Sequence, residues 1–146
     1  MKTLYKWWAA LLLVAVILQI GFAGYGAFYV AEKLDGEGSS INDKGFEDGF
    51  GIHMGFGYLV WLLGIIFLVI GVIAGIGRWR LGRHGLLALL LTLQVLLAWF
   101  GSEVPAIGFF HPVNAMVIVI VLVWTVLDLW RGKAVTPVAA SPPASA

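Results

Sequence analysis

Four long runs of apolar residues, separated by short polar or glycine-rich stretches, pattern this chain. Runs of that length without charge predict membrane-crossing helices. The spans fall at about 7–30, 53–77, 86–101 and 112–130. Trp7 to Val30 carries no charge, and as a helix it rises about 36 Å, enough for a hydrocarbon core of about 30 Å. Residues 31–50 read as a loop. They hold Glu32, Asp35, Glu37, Asp43, Glu47 and Asp48 against Lys33 and Lys44, and Gly36, Gly38, Ser39 and Ser40 mark irregular backbone. The predicted fold is all-α: an integral membrane four-helix bundle, up-down-up-down, over residues 1–133. The Pro, Ala and Ser composition of 134–146 predicts a disordered tail.

Composition places this fold in a membrane. The chain is 61% hydrophobic and 12% charged, with a mean hydropathy of +0.97, whereas soluble domains are about half apolar and about a quarter charged. Cysteine is absent, which excludes disulfides, thiol catalysis and thiolate metal sites. The net charge of +1 says little, but its distribution is informative. Lys2 and Lys6, Arg78, Arg80 and Arg83, and Arg131 with Lys133 fall on one side. The acidic loop and Glu103 fall on the other. The positive-inside rule then puts both termini, and the tail, in the cytoplasm. His84, among the arginines, reads as an interfacial residue near anionic headgroups. Asp128 is expected to pair with Arg131 at i+3. The lysines before the first run also suit a signal peptide, with the small residues around Ala23 to Ala27 as its cleavage region. No charge lies in the middle of a span, which argues against an ion pump or a central proton relay. No phosphate loop, nucleophile elbow or intraspan carboxylate pair suggests an enzyme, and nothing suggests a nucleic-acid partner.

Two stretches repeat. Leu18-Gln19-Ile20-Gly21-Phe22-Ala23-Gly24-Tyr25-Gly26 aligns with Leu93-Gln94-Val95-Leu96-Leu97-Ala98-Trp99-Phe100-Gly101. After each comes a loop and then a histidine opening the next span, His53 in one half and His111 in the other. Two helix pairs in parallel orientation are related by a twofold axis along the membrane normal. His53 and His111 are then expected at similar depth near the outer face, on diagonal helices. In that arrangement two imidazoles can hold one haem iron from both sides.

The other polar residues in the spans fit either this site or plain packing. Gly57, Val60, Gly64, Gly71 and Gly75 follow His53 on one face; they permit close helix contact or leave room for a flat macrocycle. Gln19 shares a face with Ala23 and Gly26, and Gln94 with Ala98 and Gly101. Buried amides need partners: each other, a backbone carbonyl or a cofactor edge. Pro112 suits a first helical turn, which would leave His111 as the N-cap, and capping alone would account for it. Asn114 either orients the imidazole or caps the second span. Asn114, Glu103 and Asp48 are candidate acceptors for the second histidine N–H.

Through Leu18-Gln19, Leu93-Gln94, His53 and His111, roughly residues 5–130 resemble one half of haem A synthase. That family is built from two four-helix units, each with paired histidines at the outer ends of its second and fourth helices. The chain departs from it in having one unit and no cysteine pair, and in carrying Arg83-His84 without an extended motif. The His111-Pro112-Val113-Asn114-Ala115 run also resembles a family of small bacterial four-helix membrane proteins, a likeness that supplies no activity. These resemblances imply that the first segment is retained and that the membrane is the bacterial inner one. They imply haem b on axial His53 and His111, with Gln19, Gln94, Gly57 and Asn114 around it, serving electron transfer or haem carriage. The alternatives are a non-catalytic accessory or assembly subunit whose partners are other membrane proteins, and a divalent-metal site at the outer face made by the two histidines and an acidic residue such as Glu103.

Overall fold

The computed structural model describes residues 2–131; the predicted tail, 134–146, lies outside them. Its helices are α1 (Lys2–Lys33), α2 (Asp43–Ile73), α3 (Arg78–Glu103), the single turn α4 (Pro105–Gly108) and α5 (Phe110–Arg131). The four long helices form the expected all-α bundle. Each packs on its neighbours in the chain and α5 closes against α1, so α2 and α5 lie on one diagonal and α1 and α3 on the other. By length and composition, all four are able to cross a membrane.

The helices overrun the apolar runs. The predicted 31–50 loop shrinks to 34–42, because α2 begins at Asp43 rather than at 53. Asn42 caps it, with its side chain accepting from the Gly45 N–H at 2.9 Å, and Asp43 complements the positive helix end. The opening turns of α2 are therefore polar helix, with Lys44 paired to Asp48. At its other end α2 stops at Ile73. Gly75 and Gly77 turn the chain at φ +59 and +73, where a β-branched side chain would be strained. Gly75 thus belongs to the turn and not to the glycine row of the helix. α3 extends past the predicted 86–101 at both ends. Pro105 starts α4, and Phe109 keeps helical dihedrals, so the chain runs on into α5. His111 is therefore the second residue of a helix and not its cap.

The core follows one spacing. Tyr5, Ala9, Leu12 and Val16 on α1, Val60, Gly64, Phe67 and Gly71 on α2, and Asn114, Ile118, Val121 and Thr125 on α5 are buried at steps of four, three and four. The tight packing lies mostly in the half of the bundle nearer the arginines. There, glycines receive side chains from α3. Leu91 fills the place a Cβ of Gly64 would take, and the His84 ring lies 2.9 Å from the place of a Gly71 Cβ. These glycines serve helix contact. Leu4, Leu11, Phe28, Ile73 and Ile120 are among the many large apolar residues facing outward, as a lipid-facing surface requires.

Two expectations at the arginine-bearing end are corrected. His84 is fully buried and not interfacial. Its Nε2 lies 2.6 Å from the Tyr5 hydroxyl and its ring stacks on Phe67 at 4.1 Å. Its neighbours on α3 are hydrophilic, but the helix turns it inward. Asp128 does not take Arg131 as partner. It accepts from Arg83 Nη2 at 2.6 Å and Arg80 Nε at 3.2 Å, tying α5 to α3. The Arg83 guanidinium also stacks on Trp124 at 4.6 Å. Because the Arg83 side chain is only 4% exposed, removing its anion leaves a buried charge unpaired. Asp128→Ala is expected to cost about 3 kcal/mol, read as a lower unfolding midpoint in mild detergent. Asp48→Ala, at the exposed Lys44 pair, should leave the midpoint unchanged.

A candidate ligand site between two histidines

α2 brings His53, and α5 brings His111, to the half of the bundle near the acidic loop, from diagonal positions. Their ring centroids are 6.1 Å apart with planes at 71°. Each ring is held in the same way. His53 Nδ1 lies 3.1 Å from the main-chain carbonyl of Gln19 on α1, and His111 Nδ1 lies 3.0 Å from that of Gln94 on α3. A carbonyl oxygen only accepts, so Nδ1 carries the proton in both rings. In the neutral ring Nε2 keeps its lone pair. It lies on the side of the ring away from the carbonyl that holds it. The two halves thus hold their imidazoles by equivalent bonds, from diagonal helices.

The repeated stretches place the glutamines, and the repeat extends to the backbone crossings. A Cβ on Gly26 would lie 2.7 Å from Phe50 Cδ1, and one on Gly101 would lie 2.6 Å from Gly108 Cα. Phe50 and Gly108 each stand three residues before their histidine. Each helix pair is therefore pinched together just outside its histidine, and this brings the carbonyl within reach of the ring. None of Asn114, Glu103 and Asp48 accepts from a histidine in this way. A main-chain acceptor has no side-chain signature, although the repeated Leu-Gln pair marks its position.

The remaining predicted residues divide. Gln19 Nε2 donates to the His53 carbonyl at 2.7 Å, so α1 and α2 are joined by a reciprocal pair of bonds. Gly57 makes room for that amide, since a Cβ there would be 2.8 Å from Gln19 Nε2. Gln19 Oε1 is buried without a partner. Asn114 is buried and hydrogen-bonds to neither imidazole. Its Nδ2 donates to Leu90 O at 2.9 Å and to Gln94 Oε1 at 2.7 Å. It braces the turn of α3 whose carbonyl orients His111. Among the described residues, no group of three or more histidine and carboxylate side chains gathers as a metal site, so Glu103 does not complete the divalent-metal arrangement.

Both histidines and both glutamines line a cleft of about 510 Å³, within the usual range for small-molecule sites. Apart from Ser102 its walls are otherwise apolar and aromatic, and none of its lining side chains is Asp, Glu, Lys or Arg.

The tautomer assignment is open to measurement. In 15N-histidine NMR spectra of the purified protein, the signals lost in His53→Ala and His111→Ala should belong to rings protonated at Nδ1 and bare at Nε2. No family model matches the chain, and neither a curated protein nor a solved structure matches it.

Proposed function

We propose that the chain is a small b-type haem-binding protein of the bacterial inner membrane, with His53 and His111 as the axial ligands. The spacing of the two rings carries this reading. A metal bonded to one nitrogen of each imidazole at about 2 Å separates the ring centroids by about 6 Å, and they stand 6.1 Å apart. The donor set fits as well: a ligating histidine ordinarily gives its other N–H to a fixed acceptor, and Gln19 and Gln94 supply that acceptor here. The resemblance to half of haem A synthase points the same way.

Haem held between His53 and His111 would supply one-electron chemistry rather than bind a substrate at the iron. The residues then have separable tasks. His53 and His111 bind, the glutamine carbonyls hold the rings and their tautomer, and Asn114 steadies Gln94. Phe46 and Phe50 stack at 4.9 Å and cover the cleft toward the acidic end. The bundle gathers basic residues at the end bearing both termini, which supports an orientation with those termini in the cytoplasm.

Haemin titrated into the purified apoprotein should give the reduced-minus-oxidised spectrum of six-coordinate b haem. His53→Ala and His111→Ala should each abolish six-coordination, whereas His84→Ala should not. Asn114→Leu removes a brace without touching a ligand, so haem affinity should fall by about tenfold with the spectrum retained. A protein that leaves the haemin spectrum as in empty detergent sinks this reading. Co-purification of membrane partners with a colourless chain would instead favour the accessory-subunit alternative.

A further inference from the structure

Resting on the haem reading, we propose that the cleft between α2 and α3 is a lateral port through which haem passes between the bilayer and the histidine pair, which makes the chain a haem-exchanging carrier rather than a closed cytochrome. The shape of the cleft is the first observation. Its walls come almost wholly from α2 and α3, with Gln19 of α1 and His111 of α5 at the back. It is therefore open on one side of the bundle and not enclosed by four helices.

The lips of the opening are the second observation. Met54 and Tyr58 on α2 are 44% and 54% exposed, and Trp99 on α3 is 70% exposed, with Ala98 also outward. All are apolar or amphipathic. The other directions are closed. Toward the arginine-bearing end, Trp61 Nε1 donates to Thr92 Oγ1 at 3.1 Å, and Leu91 sits against Gly64. Toward the acidic end lie the Phe46–Phe50 stack and the Gly101–Gly108 crossing.

Depth is the third. Residues 53–73 of α2 span about 30 Å, the thickness of a hydrocarbon core, so the lip at 54–58 falls just inside the outer boundary. A haem lying there keeps its carboxylates at headgroup level and its apolar edge in the cleft. The cleft has no cation to receive those carboxylates deeper in. Sideways passage at constant depth leaves the charges hydrated throughout, whereas insertion along the bundle axis would bury them.

The absence of cysteine allows a clean test, because a thiol reagent can attach only where a cysteine is introduced. Ala98→Cys, in phosphatidylcholine vesicles, is modified with pyrene maleimide before or after loading with haemin. Labelling before loading should slow haemin uptake at least tenfold. Labelling after loading should leave the six-coordinate spectrum unchanged and slow transfer to aqueous apomyoglobin at least tenfold. Met54→Cys, on the opposite lip, should behave alike. Labelled Leu89→Cys, 65% exposed on α3 away from the cleft, should exchange at the unlabelled rate. A chain that binds haem but exchanges equally fast when labelled at Ala98→Cys, Met54→Cys and Leu89→Cys overturns the port alone. A chain that takes up no haem overturns the haem reading and the port with it.

Discussion

The acidic half of the bundle depends on one interaction made twice: an imidazole N–H given to a main-chain carbonyl of the neighbouring helix. In an apolar surrounding an imidazole with no partner costs about 1–3 kcal/mol, so the bond fixes the rotation and height of α2 against α1 and of α5 against α3. It does so without using a side-chain acceptor. The acceptor belongs to a helix backbone and cannot rotate away, which gives each ring a firmer seat than an amide or carboxylate would. The same bond settles which nitrogen keeps its lone pair. Packing register and ligand chemistry therefore have a common origin.

The two halves of the bundle are built by different rules. Near the arginines, large residues fill glycine hollows, and Asp128, Arg83 and Trp124 lock α5 to α3. Tyr5 and His84 satisfy each other in the interior. Near the acidic loop, glycine pinches, the histidine bonds and the Gln19 and Asn114 amides join the helices, and space remains between α2 and α3. A rigid half holding an open half lets a site keep its geometry while remaining accessible from the side.

Much of this is legible in the sequence. Uninterrupted apolar runs locate the four spans, because only helices satisfy their backbone in lipid. The repeated Leu-Gln pair and the two histidines identify both halves of the site. Helix limits escape, because hydropathy marks where lipid stops and not where hydrogen bonding stops: Asn42 starts a helix among charged residues that hydropathy assigns to a loop. His84 escapes because its neighbours are basic and only its angular position makes it interior. Asp128 escapes because a local i+3 partner competes on paper with arginines of another helix. The carbonyls of Gln19 and Gln94 escape because every residue has one.

The repeat breaks down where the cleft between α2 and α3 is lined. On the histidine-bearing helices, the fifth and eighth residues after the histidine are Tyr58 and Trp61 in α2 but Met116 and Val119 in α5. On the glutamine-bearing helices, the fifth residue after the glutamine is Trp99 in α3 but Gly24 in α1. Three large rings thus line the α2–α3 cleft, where the equivalent α5–α1 positions carry a flexible, a small and an absent side chain. Trp61 reaches across to Thr92 and closes the cleft below, while Tyr58 and Trp99 stand outward at its mouth. The duplicated scaffold supplies two matching histidines, and three aromatic residues that are not duplicated make the walls and mouth of the cleft on the α2–α3 side.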